Sequence, residues 1–79
     1  MGETTNLTLV RRETGARIEV ICSSRDVTMG DIRDFLADLK RVSIDKIVLK
    51  RGYRKLEDQY SLDFYRITDG EILNYSILS

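Results

Sequence analysis

The sequence lacks histidine, tryptophan and proline, and its only cysteine is Cys22. Without histidine and with one thiol, it has no Cys–His or Ser–His catalytic arrangement, no zinc ligand set and no ligands for an iron–sulfur cluster. We therefore expect no enzyme activity, no cofactor and no metal. A lone cysteine cannot form an internal disulfide, which favours a reducing compartment, the nucleus or the cytoplasm. We expect Cys22 to fill the core rather than to react.

Long apolar runs are also absent, and the first five residues lack the basic and apolar regions of a signal peptide. We therefore expect no membrane association. Hydrophobic residues make up 42% of the 79 residues and charged residues 33%, a composition typical of one small folded domain. We expect residues 1–6 to form a flexible tail and residues 7–79 to form the domain.

Charge is balanced overall but unevenly distributed. Lysine plus arginine and aspartate plus glutamate number 13 each, so no net charge attracts nucleic acid. Basic residues dominate from Lys40 to Lys55, however, and acidic residues dominate from Glu57 to Glu71. A basic face of this kind is either a solvated surface or a binding surface for an acidic protein or an RNA backbone. We expect no RNA binding, because no RNA-recognition motif is present.

The chain opens with a predicted hairpin. Its second strand alternates apolar and polar residues with the period of a half-buried strand. In the first strand, either Leu7 and Leu9 or Thr8 and Val10 face inward. We favour the leucines, because exposing them would forfeit about 25 cal/mol for each Å² of apolar area. The predicted strands are residues 7–10 and 17–22.

One amphipathic helix is predicted from about residue 29 to residue 40. Thr28 is a good N-cap, and Asp31 follows three residues later in the manner of a capping box. Apolar residues then recur at helical spacing and are expected to face the core. They are Met29, Ile32, Phe35, Leu36 and Leu39.

The rest of the chain predicts two further strands and an irregular connection. Residues 46–50 form a strand that ends in a tight turn at Gly52, and the connection contains a short helical turn and a brief edge strand. Residues 72–78 are apolar on both faces, which suits a central strand. The element order predicts an α+β fold, in which a mixed sheet of four to five strands packs on one helix.

The second half of the chain resembles ubiquitin-like domains, and the match extends from Leu7 to Ile77. This resemblance implies the β-grasp fold of the ubiquitin superfamily. The residues that carry it are Leu56-Glu57-Asp58, Ser61-Leu62, Tyr65, Ile67, Asp69-Gly70 and Leu73.

Within the superfamily, the sequence resembles the ubiquitin-like splicing modifiers that end without a diglycine, the family of ubiquitin-like protein five. The family's paired tyrosines near the C-terminus are here Ser76 and Ile77, and its tryptophan before Tyr53 is Gly52. The matching residues are Gly15, Val20, Cys22, Gly30-Asp31, Lys46-Ile47-Val48-Leu49-Lys50, Tyr53, Asp58, Ser61-Leu62, Tyr65, Ile67, Asp69-Gly70 and Leu73.

That resemblance implies a non-covalent interaction module that binds short helical segments of spliceosomal proteins through an acidic spot before the helix. The implied counterpart of this spot is Asp26, or Val27 if the extra residue of the loop is placed before it. Asp26, and with it Asp31, would accept charge-assisted hydrogen bonds from an arginine of the partner. We expect a monomer.

Two alternative functions remain open. The central isoleucine of ubiquitin's apolar recognition patch corresponds to Lys50, and Arg54 and Lys55 follow in the next turn. The first alternative is therefore an adaptor domain of another pathway that uses this basic face. The second alternative is a conjugated modifier. Conjugation requires a terminal diglycine, and the sequence ends Ile77-Leu78-Ser79, so this function needs a tail that the sequence does not contain.

Overall fold

The structure, a computed structural model, describes residues 4–79. It has a five-stranded mixed sheet in the order β2-β1-β5-β3-β4, with one helix packed on one side. This arrangement confirms the predicted α+β, ubiquitin-like fold. The elements are β1 (Thr5–Arg11), β2 (Arg17–Cys22), α1 (Met29–Lys40), a one-turn 3-10 helix (Ile44–Lys46), β3 (Ile47–Arg51), β4 (Arg54–Lys55) and β5 (Glu71–Ile77).

The last strand lies in the centre of the sheet, as predicted. It pairs parallel with β1, where Leu73 lies opposite Leu9, and antiparallel with β3, where Tyr75 lies opposite Leu49. All four side chains are fully buried. The helix covers this side of the sheet, so the first and last segments of the chain meet in the middle of the core.

The inward register of the hairpin is also confirmed. Leu7 and Leu9 are buried, whereas Thr8 and Val10 are only half-buried on the other side of the sheet. In β2, Cys22 is buried, and burial raises the pKa of its thiol. A buried thiol with a raised pKa is a poor nucleophile, which agrees with a packing role.

The first strand starts earlier than expected. Thr5 is 2% exposed and belongs to β1, so residues 5 and 6 are part of the sheet and not of the tail predicted for residues 1–6. Asp69 Oδ1 holds this end of the strand, because it accepts hydrogen bonds from the backbone N–H of Asn6 at 2.7 Å and from its side-chain amide at 2.9 Å. The same two bonds hold the pKa of Asp69 below its usual range. Residues 1–3 of the predicted tail lie outside the described residues.

Local chemistry sets both ends of α1. The Thr28 hydroxyl accepts from the Asp31 N–H at 3.1 Å, and the Asp31 carboxylate accepts from the Thr28 N–H at 3.0 Å, which is the predicted capping box. At the other end, Arg41 adopts the left-handed conformation, with φ of 57°, and its N–H reaches carbonyls of the last turn. The helix therefore has the predicted bounds.

The buried face of α1 differs from the prediction on one flank. Phe35 is 43% exposed and Leu39 is 51% exposed, so their placement in the core was wrong. At 3.6 residues per turn, Phe35 points about 120° away from Met29 and Leu39 about 80° away, so neither side chain points directly at the sheet. The residues of α1 that are buried are Met29, Ile32, Leu36 and Ala37.

Three arginine side chains hold irregular segments in place. They donate to backbone carbonyls of the connecting segments and so help to satisfy the polar groups there. The shortest of these bonds are from Arg25 to the Ile67 carbonyl at 2.6 Å, from Arg33 to the Ile44 carbonyl at 2.7 Å and from Arg51 to the Tyr65 carbonyl at 2.8 Å.

Replacing Tyr75 with phenylalanine should raise the free energy of unfolding by about 1 kcal/mol. Tyr75 is fully buried, and its hydroxyl is the only buried side-chain polar atom in residues 4–79 without a hydrogen-bond partner. A buried hydroxyl left unbonded costs about 1–3 kcal/mol. Urea unfolding of Tyr75→Phe measures the change.

Tyr65→Phe is the matched control, because the Tyr65 hydroxyl accepts the Glu57 N–H at 2.9 Å. The free energy of unfolding of this variant should be lower by about 1 kcal/mol. An equal loss in Tyr75→Phe would contradict the assignment of an unbonded hydroxyl.

Candidate functional site

The predicted site residues lie on two different surfaces. Asp26 and Asp31 lie where β2 leads into α1, and Lys50 and Lys55 lie on the side of the sheet that faces away from α1, here called the outer face. Residues 4–79 contain no group of three or more acidic or cysteine side chains placed to hold a metal ion. In the same part of the chain, no helix is both long enough and apolar enough to cross a membrane.

Asp26 presents a free carboxylate on an anchored loop. Its side chain is exposed, and within residues 4–79 its carboxylate forms no hydrogen bond or ion pair. Both neighbouring residues are held by backbone bonds, from the Leu62 N–H to the Val27 carbonyl at 2.9 Å and from the Asp63 N–H to the Arg25 carbonyl at 3.2 Å. The backbone that presents this carboxylate is therefore largely fixed before any partner binds.

The adjacent residues do not compete for this role. The guanidinium of Arg25 is turned toward the Ile67 carbonyl, and its Nε lies 3.7 Å from a carboxylate oxygen of Asp63, so it leaves Asp26 unneutralised. Val27 is half-buried and packs against the core. Of the two positions considered for the acidic spot, only Asp26 turns a polar side chain to solvent.

Asp31 has a structural role that Asp26 lacks. One oxygen of its carboxylate already accepts the Thr28 N–H in the capping box. Negative charge at this position also interacts favourably with the N-terminus of α1. Any contact between Asp31 and a partner would therefore involve a group that is already stabilising the helix.

From the directions and exposure of apolar side chains we infer an apolar groove between α1 and β2. Arg33 bonds to β3 through the Ile47 carbonyl at 2.9 Å, so that flank of the helix faces β3. Phe35 and Leu39 point to the opposite flank, toward β2 at the other edge of the sheet. The facing residues of β2, Ile18 and Val20, are only half-buried. Because the loop that contains Asp26 joins β2 to α1, this loop closes one end of the groove.

The basic residues predicted as a cluster are divided by the structure. Lys50 and Lys55 are directly opposite each other in β3 and β4 and project from the outer face. Arg54 lies opposite Arg51, so it projects from the other side of the sheet. Its guanidinium carbon lies 6.0 Å from the centre of the Tyr65 ring.

Arg51 does not contribute to the basic surface, because its charge is neutralised. Its guanidinium binds the Glu71 carboxylate through two bonds, of 2.5 Å and 2.9 Å. Burial opposes ionisation of Glu71, but the Arg51 guanidinium and the Thr68 N–H outweigh it, so the pKa of Glu71 lies below its usual range. This bidentate pair joins β3 to β5.

A row of paired residues crosses the whole outer face and adds a cation that the basic segment of the sequence does not contain. This cation is Arg17, in β2. The alternation of apolar and polar residues in β2 predicts that Arg17 points outward. Its place in the same row as Lys50, however, depends on the order of the strands in the sheet. The row, read from β4 to β2, is Lys55, Lys50, Asn74, Val10 and Arg17.

Similar sequences are modifiers of one type. The chain is 36% identical over 62 residues to the ubiquitin-like modifier HUB1 of Debaryomyces hansenii, covering 78% of this chain and 84% of that protein. It is 38% identical over 63 residues to HUB1 of Kluyveromyces lactis, covering 78% and 84%. It is 34% identical over 65 residues to HUB1 of Eremothecium gossypii, covering 82% and 88%. No family model matches the chain.

Solved structures agree on the fold. Caldiarchaeum subterraneum ubiquitin superposes with a TM-score of 0.89 at 19% identity, covering 98% of this chain and 96% of that one. The ubiquitin-like domain of Plasmodium falciparum Dsk2 superposes with a TM-score of 0.81 at 19% identity, covering 95% and 99%. At such low identity these two structures support the architecture alone.

Asp31→Ala should lower the free energy of unfolding by about 1 kcal/mol, because it removes half of the capping box. Asp26→Ala should change it by less than about 0.5 kcal/mol, because its carboxylate has no partner in residues 4–79. Chemical unfolding of the two variants measures the difference. Equal losses would show that the two aspartates do not have the separate roles described above.

Lys55→Glu should raise the free energy of unfolding by about 0.5 kcal/mol, because it turns a directly opposed like-charge pair with Lys50 into an attractive one. The gain should shrink at high salt. Arg54→Glu is the control, since the residue opposite Arg54 is Arg51, whose charge is already neutralised by Glu71. A similar gain in the control would contradict a specific repulsion between Lys50 and Lys55.

Proposed function

Because the chain belongs to the family of HUB1 ubiquitin-like modifiers, we propose that it acts as a non-covalent protein-interaction module whose partners are short helical segments of spliceosomal proteins. In this function the chain binds and does not catalyse. Its place of action is the nucleus or the cytoplasm, and the active form is a monomer.

The observation that carries this proposal is the free carboxylate of Asp26 at the end of an apolar groove. An exposed carboxylate without a counter-charge is a ready acceptor for an arginine, whose two parallel N–H groups match its geometry. The loop is anchored on both sides of Asp26 by backbone bonds. Little loop entropy is therefore lost when the arginine binds.

The groove suits the apolar side of an amphipathic helix. One wall of the groove contains Phe35 and Leu39, which are about half exposed. The other wall contains Ile18 and Val20, which are half-buried. A helix laid in such a groove buries residues spaced by three or four positions, and its polar side stays in water. The arginine that reaches Asp26 would lie near one end of that helix.

Acidic residues around α1 add a charge preference. Asp26 and Asp38 are exposed near the groove, and neither forms an ion pair within residues 4–79. These carboxylates favour a basic partner helix and oppose an acidic one. The same charges disfavour an RNA backbone at this surface.

Two other functions are distinguishable by experiment. An adaptor domain of another pathway would use the basic residues of the outer face, with Lys50 as its centre, and would not depend on Asp26. A conjugated modifier would carry a diglycine after Ser79. Mass spectrometry of the native gene product decides that second alternative.

Asp26→Ala should weaken binding to the partner helix about 10- to 100-fold, as expected when one charge-assisted hydrogen-bonded contact is lost. Affinity purification from native extract, followed by mass spectrometry, identifies the partner. Calorimetry with a peptide of its helical segment then gives the affinity. Leu39→Ser should also weaken binding, because it removes apolar area from the groove wall.

Asp34→Ala is the matched control, since it removes the same charge from an exposed position of α1 that points away from the groove. Its affinity should stay within about threefold of the unchanged chain. Unchanged affinity in Asp26→Ala would reject the acidic spot. A purification in which spliceosomal proteins are absent would reject the proposed class of partner.

A further inference from the structure

The outer face carries a line of positive charge. In the row that crosses all five strands, Lys55, Lys50 and Arg17 are the charged members, and all three are cations. Lys50 and Lys55 are direct cross-strand neighbours, with Cβ atoms about 5 Å apart, and like charges placed directly opposite each other reduce stability. An arrangement that costs folding energy is a candidate for a functional role.

Two of the nearby acidic residues are engaged elsewhere, and a third, Glu19, projects from the outer face two residues after Arg17 in β2. Glu13, in the β1–β2 turn, accepts from the Ile77 N–H and from the Arg11 Nε, both at 3.1 Å, and these bonds hold its pKa below the usual range. Glu71 is bound to Arg51. Within residues 4–79, no acidic side chain forms an ion pair with a cation of the row.

The centre of the row is a shallow depression with an apolar component. Val10 and Asn74 form its floor, Arg12 lies on one side in the β1–β2 turn, and Tyr53 lies on the other in the β3–β4 turn. Tyr53 is 93% exposed. Ile72, two residues before Asn74 on the same side of β5, is 49% exposed and extends the apolar area.

We propose that the outer face is a second docking surface, which binds an extended acidic protein segment that crosses the strands with the pattern acid-x-apolar-x-acid. Lys50 and Arg17 are three strand spacings apart, about 14 Å. In an extended chain, residues i and i+4 are also about 14 Å apart. The two acidic side chains of such a segment reach Lys50 and Arg17, and the apolar side chain between them covers Val10.

This surface favours an acidic peptide over an RNA backbone. Polyphosphate binding derives its affinity from the number of phosphates that are neutralised, and the row offers only three cations on a chain of zero net charge. A phosphate backbone would also leave the apolar area at Val10 and Ile72 in contact with water or with charge. The proposal does not depend on Asp26, which lies on a different surface.

The test is a titration of the isotope-labelled full chain, followed by NMR, with the peptide acetyl-Gly-Ser-Glu-Ser-Leu-Ser-Glu-Ser-Gly-amide at about 50 mM salt. Saturable shifts are expected at the backbone amides of Val10, Lys50 and Asn74. Lys50→Glu and Arg17→Glu should each weaken binding about fivefold or more, and added salt should weaken it further.

Two controls make the test specific. Arg54→Glu makes the same change of charge next to Lys55 but on the other side of the sheet, and it should alter the affinity by less than about twofold. A peptide of equal composition with adjacent glutamates should bind at least about threefold more weakly, because it cannot reach both ends of the row.

Three results would overturn the proposal. The first is equal affinity for the original and the rearranged peptide. The second is a loss of affinity in Arg54→Glu as large as that in Lys50→Glu. The third is tighter binding of a single-stranded oligouridylate of equal charge than of the peptide. Asp26→Ala should leave this titration unchanged, so failure here and failure of the helical-partner proposal are separate outcomes.

Discussion

The pairing of β5 with both β1 and β3 is the contact on which the rest of the structure depends. It brings Leu73 beside Leu9 and Tyr75 beside Leu49, and so joins segments from opposite ends of the chain in one core. Such distant pairing has a loop-closure cost that only the burial it creates can offset. Both candidate surfaces follow from it. The same strand order leaves β2 at the edge beside the apolar groove and lines up the cations of the outer face.

Hydrogen bonds from arginine side chains hold segments that lack regular backbone pairing. The long connection between β4 and β5 has little helix or strand of its own, and its carbonyls receive hydrogen bonds from Arg25 and Arg51. These guanidinium groups are therefore structural, although a count of charges along the sequence would assign them to a basic surface. A structure is needed to separate the cations that hold loops from those that remain available to a partner.

The two surfaces differ in the way that charge is presented. Asp26 is a single carboxylate on a loop that is anchored on both sides, so its position is specific and its effect on stability is expected to be small. Lys50 and Lys55 are a pair held close together by the sheet, so their repulsion is built into the fold. The surface at α1 has one recognition residue, Asp26, beside an apolar groove. The outer face has a row of cations next to a small apolar area at Val10.

The sequence by itself determined the order and bounds of most elements, because caps, turns and apolar alternation act over a few residues. Thr28 with Asp31 started the helix as predicted, and Leu7 with Leu9 faced the core. Only the tertiary structure decided which exposed groups act together. Arg51 is neutralised by Glu71, whereas Arg17 joins Lys50 in one row. The physical reason is that the environment of a side chain depends on the segments that fold against it, and these lie far away in the sequence.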